Sequence, residues 1–376
     1  MVIFDMVDFN EVLEFYKGKR VFLTGHTGFK GSWLSFILTQ AGAEVFGYAL
    51  SPPTEPSLFD MLEKSGVYEG KLHSVIGDIR DKNSLQIAFD TANPEIVIHM
   101  AAQPIVLEGY RDPAYTYETN VMGTVNILEC VRLADSVKSF LNVTTDKVYE
   151  NKDFDHAFRE TDPLDGYDPY SNSKSCSELV THSYTKSFFA AEGTAAISTA
   201  RAGNVIGGGD FASNRIIPDC VRAVLDDGEH VVTLRNPYAT RPYQHVLEPL
   251  FAYLLIAQRQ YADKGVSGNY NVGPLEVDCV DTFTLVDCFA KYWNESIETA
   301  EEKMEIVSAP DTDAPHEAHF LKLDCSYIAE VLGWTPRWHV GEAVQKTVAW
   351  TKAYKKYKTI SDEMKKEMSE YLSVMW

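Results

Sequence analysis

Two short runs in the middle of the chain carry side chains that could act on an alcohol. Tyr170 and Lys174 are spaced so that on a helix they share one face. The lysine ammonium can lower the pKa of the tyrosine, which can then accept the proton of an alcohol as hydride leaves. The second run is Thr145, Asp146 and Lys147. Asp146 supplies an acid that simple alcohol oxidation does not need, so the two runs together favour oxidation followed by elimination of water.

The second run has two interpretations. In the chemical one, Thr145 bonds a sugar hydroxyl and Asp146 protonates a leaving hydroxyl. In the structural one, the residues form a strand-end cap and a surface ion pair. The run follows a predicted strand of a parallel sheet, and such sheets bind ligands at the carboxyl ends of their strands. The chemical interpretation is therefore favoured.

A glycine-rich turn lies upstream of both runs. Gly25, Gly28 and Gly31 follow one predicted strand and open a predicted helix. Glycine lets the backbone turn tightly and approach a pyrophosphate, whose charge then faces the helix N-terminus. The turn predicts a dinucleotide site, although the spacing alone would also suit an ordinary strand-to-helix turn.

The residues after the turn favour NAD over NADP. An acid that holds the ribose hydroxyl is expected about 20 residues beyond the glycines. No aspartate stands in that region before Asp60, and residues 45–60 contain no Arg or Lys for a 2′-phosphate. Lys30, inside the glycine loop, could reach a phosphate and keeps NADP open. Asp78 could accept a hydrogen bond from adenine or, equally, cap a helix.

The elements that would position these residues alternate along the first half of the chain. Short apolar runs predict strands at 20–24, 44–50, 72–76, 96–100, 139–144 and 195–201. Helical patterns fill the gaps at 32–40, 82–90, 119–134 and 173–190. This alternation predicts an α/β fold with a Rossmann-type, doubly wound parallel sheet.

The second half is broken by glycines and prolines, which indicates a smaller C-terminal substrate-binding lobe. We expect a dinucleotide-binding domain at 15–201 plus about 246–273, and a substrate lobe at 202–245 and 274–350. Residues 351–376 are Lys- and Glu-rich with spaced aromatics and predict a helical tail.

Composition excludes several classes of protein. The 376 residues carry a net charge of −20, which argues against a nucleic-acid binder. The six cysteines form no C-x-x-C pair, so we expect no metal. The N-terminus lacks the features of a secretory signal, and no apolar run approaches a membrane span. We expect a cytoplasmic protein that contacts neither membrane nor nucleic acid.

Several longer runs carry a family resemblance over about residues 15–350. They are GHTGFKGSW (25–33), HMAAQP (99–104), ETNVMGT (118–124), RAGNVIGGGD (201–210), RNPYATRPYQHVLE (235–248), and HE (316–317) before LKLD (321–324). With them the chain resembles the extended short-chain dehydrogenase/reductases and, within these, the nucleotide-sugar 4,6-dehydratases. The pair Asp146-Lys147 and the Ala-Thr-Arg-Pro run resemble the branch that acts on CDP-glucose.

The resemblance implies a reaction cycle that ends in CDP-4-keto-6-deoxyglucose, a precursor for deoxysugar and surface-polysaccharide synthesis. Tyr170 takes the proton of O4 while NAD accepts hydride from C4. Water then leaves across C5 and C6, with Asp146 as the acid, and the hydride returns to C6.

The resemblance also implies the residues that contact the ligands. For the cofactor they are Gly25, Thr27, Gly28, Phe29, Lys30, Gly31, Asp78, Ile79, Ala101, Ala102, Asn120, Tyr170 and Lys174. For the nucleotide sugar they are Gln103, Asn204, Arg215, Arg241 and His316. Arginine forks suit diphosphate oxygens and would supply local positive charge in an acidic protein.

Lys147 departs from the wider family. The dehydratases for dTDP-glucose and GDP-mannose have a glutamate there that acts as the base at C5, whereas the CDP-glucose branch has lysine. A lysine could serve as base only with a lowered pKa. Otherwise it stabilises the enolate while another group takes the proton. The run 106–110 is also less basic than the resemblance leads us to expect.

Two other functions compete with this one. A nucleotide-sugar epimerase would share the glycine turn and Tyr170-Lys174 without needing Asp146. A non-catalytic sensor would tolerate loss of Tyr170 or Lys174, yet both are present. The resemblance also implies a homodimer or homotetramer, with the helices predicted at 119–134 and 173–190 as candidate contacts.

Overall fold

The computed structural model describes residues 7–225, 230–299, 302–309 and 320–374. Its strands, in chain order, are β1 (Arg20–Thr24), β2 (Glu44–Ala49), β3 (Leu72–Ile76), β4 (Ile96–His99), β5 (Ser139–Thr145), β6 (Ala157–Phe158), β7 (Ala196–Ala202), β8 (Val205–Ile206), β9 (Val231–Leu234), β10 (Thr240–Pro242), β11 (Gln244–His245), β12 (Asn269–Val272), β13 (Cys279–Asp281), β14 (Glu305–Ser308) and β15 (Lys322–Leu323).

The α-helices are α1 (Phe9–Tyr16), α2 (Phe29–Gln40), α3 (Leu58–Ser65), α4 (Lys82–Ala92), α5 (Val106–Arg111), α6 (Pro113–Tyr117), α7 (Gly123–Arg132), α8 (Pro169–Phe188), α9 (Ile216–Leu225), α10 (Leu247–Ala262), α11 (Thr282–Asn294), α12 (Ser326–Leu332), α13 (Val340–Tyr357) and α14 (Ser361–Ser373). A π-helical turn, Glu118–Met122, leads into α7, so the helix predicted at 119–134 is divided. None of these described helices is both long and apolar enough to cross a bilayer.

Seven parallel strands form the main sheet, in the order β12-β7-β5-β4-β1-β2-β3. Chain order reverses between β1 and β4, because the first three strands run outward on one side and the later strands on the other. A reversal of this kind opens a crevice at the carboxyl ends of the two central strands. The doubly wound sheet predicted from the sequence is confirmed.

Apolar side chains cover both faces of the sheet. Helices α4, α7 and α8 bury one cluster, with Phe22, Phe89 and Phe140 among its members. On the other face, α1, α2 and α10 join a larger cluster that extends through the C-terminal half of the chain. A parallel sheet requires this cover on both faces, and the apolar runs of its strands supply it.

The C-terminal helices belong to this larger core. A Cβ at Gly208 would lie 1.9 Å from the Trp350 ring of α13, so the glycine makes room for the indole. Trp33 of α2 donates to the carbonyl oxygen of Gly208 at 2.9 Å. Tyr371 of α14 is fully buried and donates to Glu248 of α10 at 2.8 Å. The predicted tail is helical and packs against the core.

Candidate active site at the carboxyl edge of the sheet

The three glycines of the turn differ in what the fold demands of them. Gly25 has φ +79°, and a Cβ there would lie 2.8 Å from the backbone nitrogen of Ala101. A Cβ at Gly31 would lie 2.1 Å from the carbonyl oxygen of Gly25. At Gly28, the N-cap of α2, the nearest atom would be 3.5 Å away. The fold therefore needs Gly25 and Gly31, whereas Gly28 leaves an open approach to a helix N-terminus, which fits a dinucleotide pyrophosphate.

Further predicted cofactor residues lie in the glycine loop and after β3 and β4. Thr27 donates to the carbonyl oxygen of Leu50 at 2.8 Å, which fixes the glycine loop to the end of β2. Phe29 lies against Gly207, and Ala101 and Ala102 follow β4 and are half-buried. Ile79 is buried, and its carbonyl oxygen accepts a hydrogen bond from Asn126.

Gln103 and Asn120 bond each other, and Asn120 also bonds α8, the helix that carries Tyr170 and Lys174. The Asn120 side chain accepts from the Gln103 backbone at 2.8 Å and donates to Ser173 of α8 at 2.8 Å. The Gln103 side chain donates to Thr116 and accepts from the backbone of Ile105. Both amides therefore have protein partners, and a ligand contact by either would be added to these bonds or would replace one.

The Asp78 carboxylate binds Arg80 and does not cap a helix. Its carboxylate accepts two hydrogen bonds from Arg80 Nε, one from the Arg80 terminal amine and one from the Arg80 backbone. These bonds lower the pKa of Asp78. The residue that caps α4 is Asp81, so the capping alternative for Asp78 is wrong. Its predicted contact with adenine stays a prediction.

Tyr170 and Lys174 lie in the first two turns of α8, which begins at Pro169 rather than Ser173. Burial raises the pKa of Tyr170 to about 12, and the Thr145 side chain opposes this rise. Burial also lowers the pKa of Lys174 to about 7, and the charge of Lys30 lowers it further. Lys174 donates to the carbonyl oxygen of Val143 at 3.2 Å. The tyrosine needs nearby positive charge before it can accept a proton.

Asp146 has the properties of a general acid. It is 2% exposed at the end of β5, and Thr145 donates to its Oδ1 at 2.9 Å. Burial raises its pKa, with Lys147 and Arg241 opposing. Its Oδ2 is buried and has no hydrogen-bond partner among the described residues. A buried carboxyl group with a raised pKa can protonate a leaving group.

Lys30 connects the glycine loop to this centre. It is half-buried in the first turn of α2, and its ammonium has no hydrogen-bond partner within the described residues. Burial and the charge of Arg215 lower its pKa to about 8, against the influence of Asp146 and Asp210. Lys147, which is also half-buried, follows Asp146 in a 3₁₀ turn.

The predicted substrate residues come from three separate segments. Arg215 pairs with buried Asp210 at 3.1 Å. Arg241, in β10, is 3% exposed, and its charge acts on Asp146. Asn204 is half-buried, and its carbonyl oxygen accepts from the Gln244 backbone. His316 lies outside the described residues.

Sequence reasoning missed two residues near this centre. Tyr253 of α10 is fully buried, its hydroxyl has no partner in the described part of the chain, and Tyr170 and Asp146 help to raise its pKa. No sequence signal marks it, because α10 lies far along the chain. Glu178 stands one helical turn beyond Lys174, and extending the spacing of Tyr170 and Lys174 would have found it.

Comparison with known proteins places the chain in a family. A model of the GDP-mannose 4,6-dehydratase family matches residues 22–347. The chain is 44% identical to a CDP-glucose 4,6-dehydratase from Salmonella typhimurium, over 98% of this chain and 99% of that protein. It is 28% identical to a UDP-glucose 4-epimerase from Halalkalibacterium halodurans, over 67% of this chain and 75% of that protein.

Solved structures share the fold at lower sequence identity. A dTDP-glucose 4,6-dehydratase from Bacillus anthracis, in complex with NAD, aligns with a TM-score of 0.71 at 20% identity, over 90% of this chain and 97% of that one. A UDP-glucose 4-epimerase from Stenotrophomonas maltophila, with bound NAD, aligns with a TM-score of 0.75 at 20% identity, over 89% and 98%. The sheet, the site and the family match together show that the chain belongs to the GDP-mannose 4,6-dehydratase family.

Proposed function

We propose that this protein is an NAD-dependent CDP-glucose 4,6-dehydratase, which converts CDP-D-glucose to CDP-4-keto-6-deoxy-D-glucose. The observation that carries the proposal is Asp146, a buried acid with raised pKa whose Oδ2 has no partner in the described ranges, beside the Tyr170–Lys174 pair. An epimerase has no use for an acid at this place. The substrate is proposed from the 44% identical relative, which is named for CDP-glucose.

The residues of the centre would act in order along the sugar. Tyr170 accepts the proton of O4, helped by the Lys174 ammonium. When bound along the glycine turn, NAD supplies an acceptor for the C4 hydride and a donor that returns it to C6. Asp146 protonates the departing C6 hydroxyl, and Thr145 holds Asp146 through Oδ1. The open face at Gly28 would hold the cofactor's pyrophosphate.

Positive charge would hold the nucleotide diphosphate. Arg215 and Arg241 belong to different segments and both act on the reacting centre electrostatically. We assign both to the diphosphate, with Asn204 and His316 as further contacts. Local cations of this kind let an acidic protein bind a dianionic substrate.

Two roles remain for Lys147: it is the base at C5, or it stabilises the enolate while another group takes the proton. A Lys147→Met variant tests the first role. If the variant still exchanges the C5 hydrogen with deuterated solvent, Lys147 is not the base. If exchange stops while oxidation at C4 continues, Lys147 is needed to form the enolate, as the base or as its stabilising charge.

Mass spectrometry of CDP-glucose incubated with the protein and NAD tests the function directly. We expect a product that has lost one water, with no net reduction of NAD. A Tyr170→Phe variant should give no product while still binding NAD. An isomer of unchanged mass would indicate an epimerase, and reaction with another nucleotide-glucose only would overturn the substrate assignment.

We also propose a homodimer formed through α7 and α8. Their outer faces expose Met122 and Leu133 beside α7, and Leu179 and Phe188 on α8. Apolar side chains of this size exposed together favour contact with another surface. Light scattering should report a dimer, and Leu179→Lys should shift it towards monomer. We place its action in the cytoplasm, as the sequence predicts.

A further inference from the structure

A buried ion pair, formed by Glu178 and Arg201, lies one helical turn beyond Lys174. Glu178 follows Lys174 by one turn on the same face of α8 and is 3% exposed. Its two oxygens accept hydrogen bonds from Arg201 Nε at 3.1 Å and from an Arg201 terminal amine at 3.0 Å. Thr144 donates to the same carboxylate at 2.5 Å, and Thr199 donates at 2.8 Å.

The spacing of Lys174 and Glu178 along α8 puts the carboxylate and the ammonium on one face of the helix. Lys174 donates to the carbonyl oxygen of Val143, and the next residue, Thr144, donates to Glu178. Two side chains from one helix face therefore reach consecutive residues of β5. Four hydrogen bonds from three residues hold the carboxylate in one position, so its negative charge is fixed relative to the lysine.

We propose that Glu178 is a positioning residue of the reacting centre, whose buried carboxylate keeps the Lys174 side chain charged. The charge on Lys174 matters because it helps Tyr170 to accept a proton. This functional consequence rests on the proposed function, whereas the effect on the charge of Lys174 does not.

Several charged or titratable groups face Lys174 from the elements around it. They are Lys30 of α2, His99 of β4 and Glu178 of α8. Of these, Lys30 lowers the pKa of Lys174 and Glu178 raises it. Burial keeps His99 uncharged near neutral pH, since its pKa is lowered to about 3. Glu178 is thus the group that offsets burial and Lys30.

The test is an NMR titration of the lysine Nζ groups in ¹⁵N-labelled protein, without substrate, with Lys174 assigned from a Lys174→Arg variant. In Glu178→Gln we expect the pKa of Lys174 to fall by about one unit, a tenfold change in the ratio of charged to neutral lysine. The matched control is Thr199→Val, which removes a hydrogen bond to the same carboxylate but no charge. Thr199→Val should leave the pKa of Lys174 unchanged.

A second variant covers the case in which Glu178→Gln fails to fold because Arg201 is left unpaired. The double variant Glu178→Gln/Arg201→Met removes both charges and should still lower the pKa of Lys174, by less than Glu178→Gln because the opposing charge of Arg201 is lost as well. An unchanged titration of Lys174 in whichever variant folds would overturn the proposal.

The kinetic counterpart is the pH profile of turnover. The limb that titrates Lys174 should move to lower pH in the variant, whereas a purely structural role would lower the rate equally at every pH. Absence of turnover with CDP-glucose would count against the proposed function but leave the NMR result standing. A shifted titration with an unshifted kinetic limb would refute the catalytic consequence of Glu178.

Discussion

Replacing Glu248 with glutamine should make the stability of the fold less dependent on pH. Glu248 is fully buried at the start of α10. Its carboxyl group accepts hydrogen bonds from the backbone of Arg337 at 2.9 Å and of Trp338 at 2.7 Å, and from the Tyr371 hydroxyl at 2.8 Å. Burial raises its pKa from 4.5 to about 7, although these donors and the charge of Arg337 oppose the rise.

The sign and size of the effect follow from the two pKa values. Between pH 4.5 and 7 the unfolded chain has lost the proton of Glu248 while the folded protein keeps it. The free energy of unfolding then falls by about 1.4 kcal/mol for each unit of rising pH. Between pH 5 and pH 7 this amounts to about 2.2 kcal/mol, and above pH 7 the loss levels off, reaching about 2.5 kcal/mol by pH 8. Glutamine cannot ionise, so the variant lacks this loss.

Urea unfolding followed by tryptophan fluorescence, for both proteins at pH 5, 6, 7 and 8, measures the difference. The variant should gain about 2.5 kcal/mol over the wild type between pH 5 and pH 8, whatever their difference at pH 5. The other titrating groups cancel because they are common to both proteins. Glu330→Gln, at an exposed position of α12, is the control and should give no such trend. A difference for Glu248→Gln that stays constant across the range would refute the reasoning.

Two further predictions concern the active site. Gly28→Ala should weaken NAD binding tenfold or more, about 1.4 kcal/mol, without lowering the melting temperature, because the new Cβ meets no protein atom within 3.5 Å. Gly31→Ala is the contrasting control: its Cβ would lie 2.1 Å from a backbone oxygen, so it should destabilise the fold by about 1–3 kcal/mol even without cofactor. Equal NAD affinity for Gly28→Ala and wild type would contradict the assignment of the glycine loop. Asp146→Asn should slow water elimination by about 10²–10⁴-fold while oxidation at C4 continues, seen as absorbance of reduced cofactor at about 340 nm on the enzyme. Loss of that absorbance together with turnover would show that Asp146 has a different role.

Much of the nucleotide-binding half could be predicted because its signals are local. The strands predicted at 20–24 and 72–76 have the observed bounds, since a short apolar run between turn residues defines a buried parallel strand. The start of α8 was placed four residues late. Pro169 suits the first turn of a helix, and Asp168 caps it, so the helix includes Tyr170.

Other features could not be predicted, because they depend on residues far apart in the chain. The capping role belongs to Asp81 and not to Asp78, since Arg80 folds back onto the Asp78 carboxylate. Tyr253 reaches the centre from α10, which begins more than a hundred residues after β5 ends. Such contacts leave no periodic pattern.

The sequence by itself determined the parallel sheet, the glycine turn and the Tyr170–Lys174 spacing, because backbone geometry repeats over a few residues and leaves its period in the chain. Only the tertiary structure decided how these groups ionise. Asp146 has a raised pKa because distant segments bury it. The pKa of Lys174 is lowered by Lys30 and raised by Glu178. A pKa depends on the water and charges around a group, and these are brought together only when the whole chain packs.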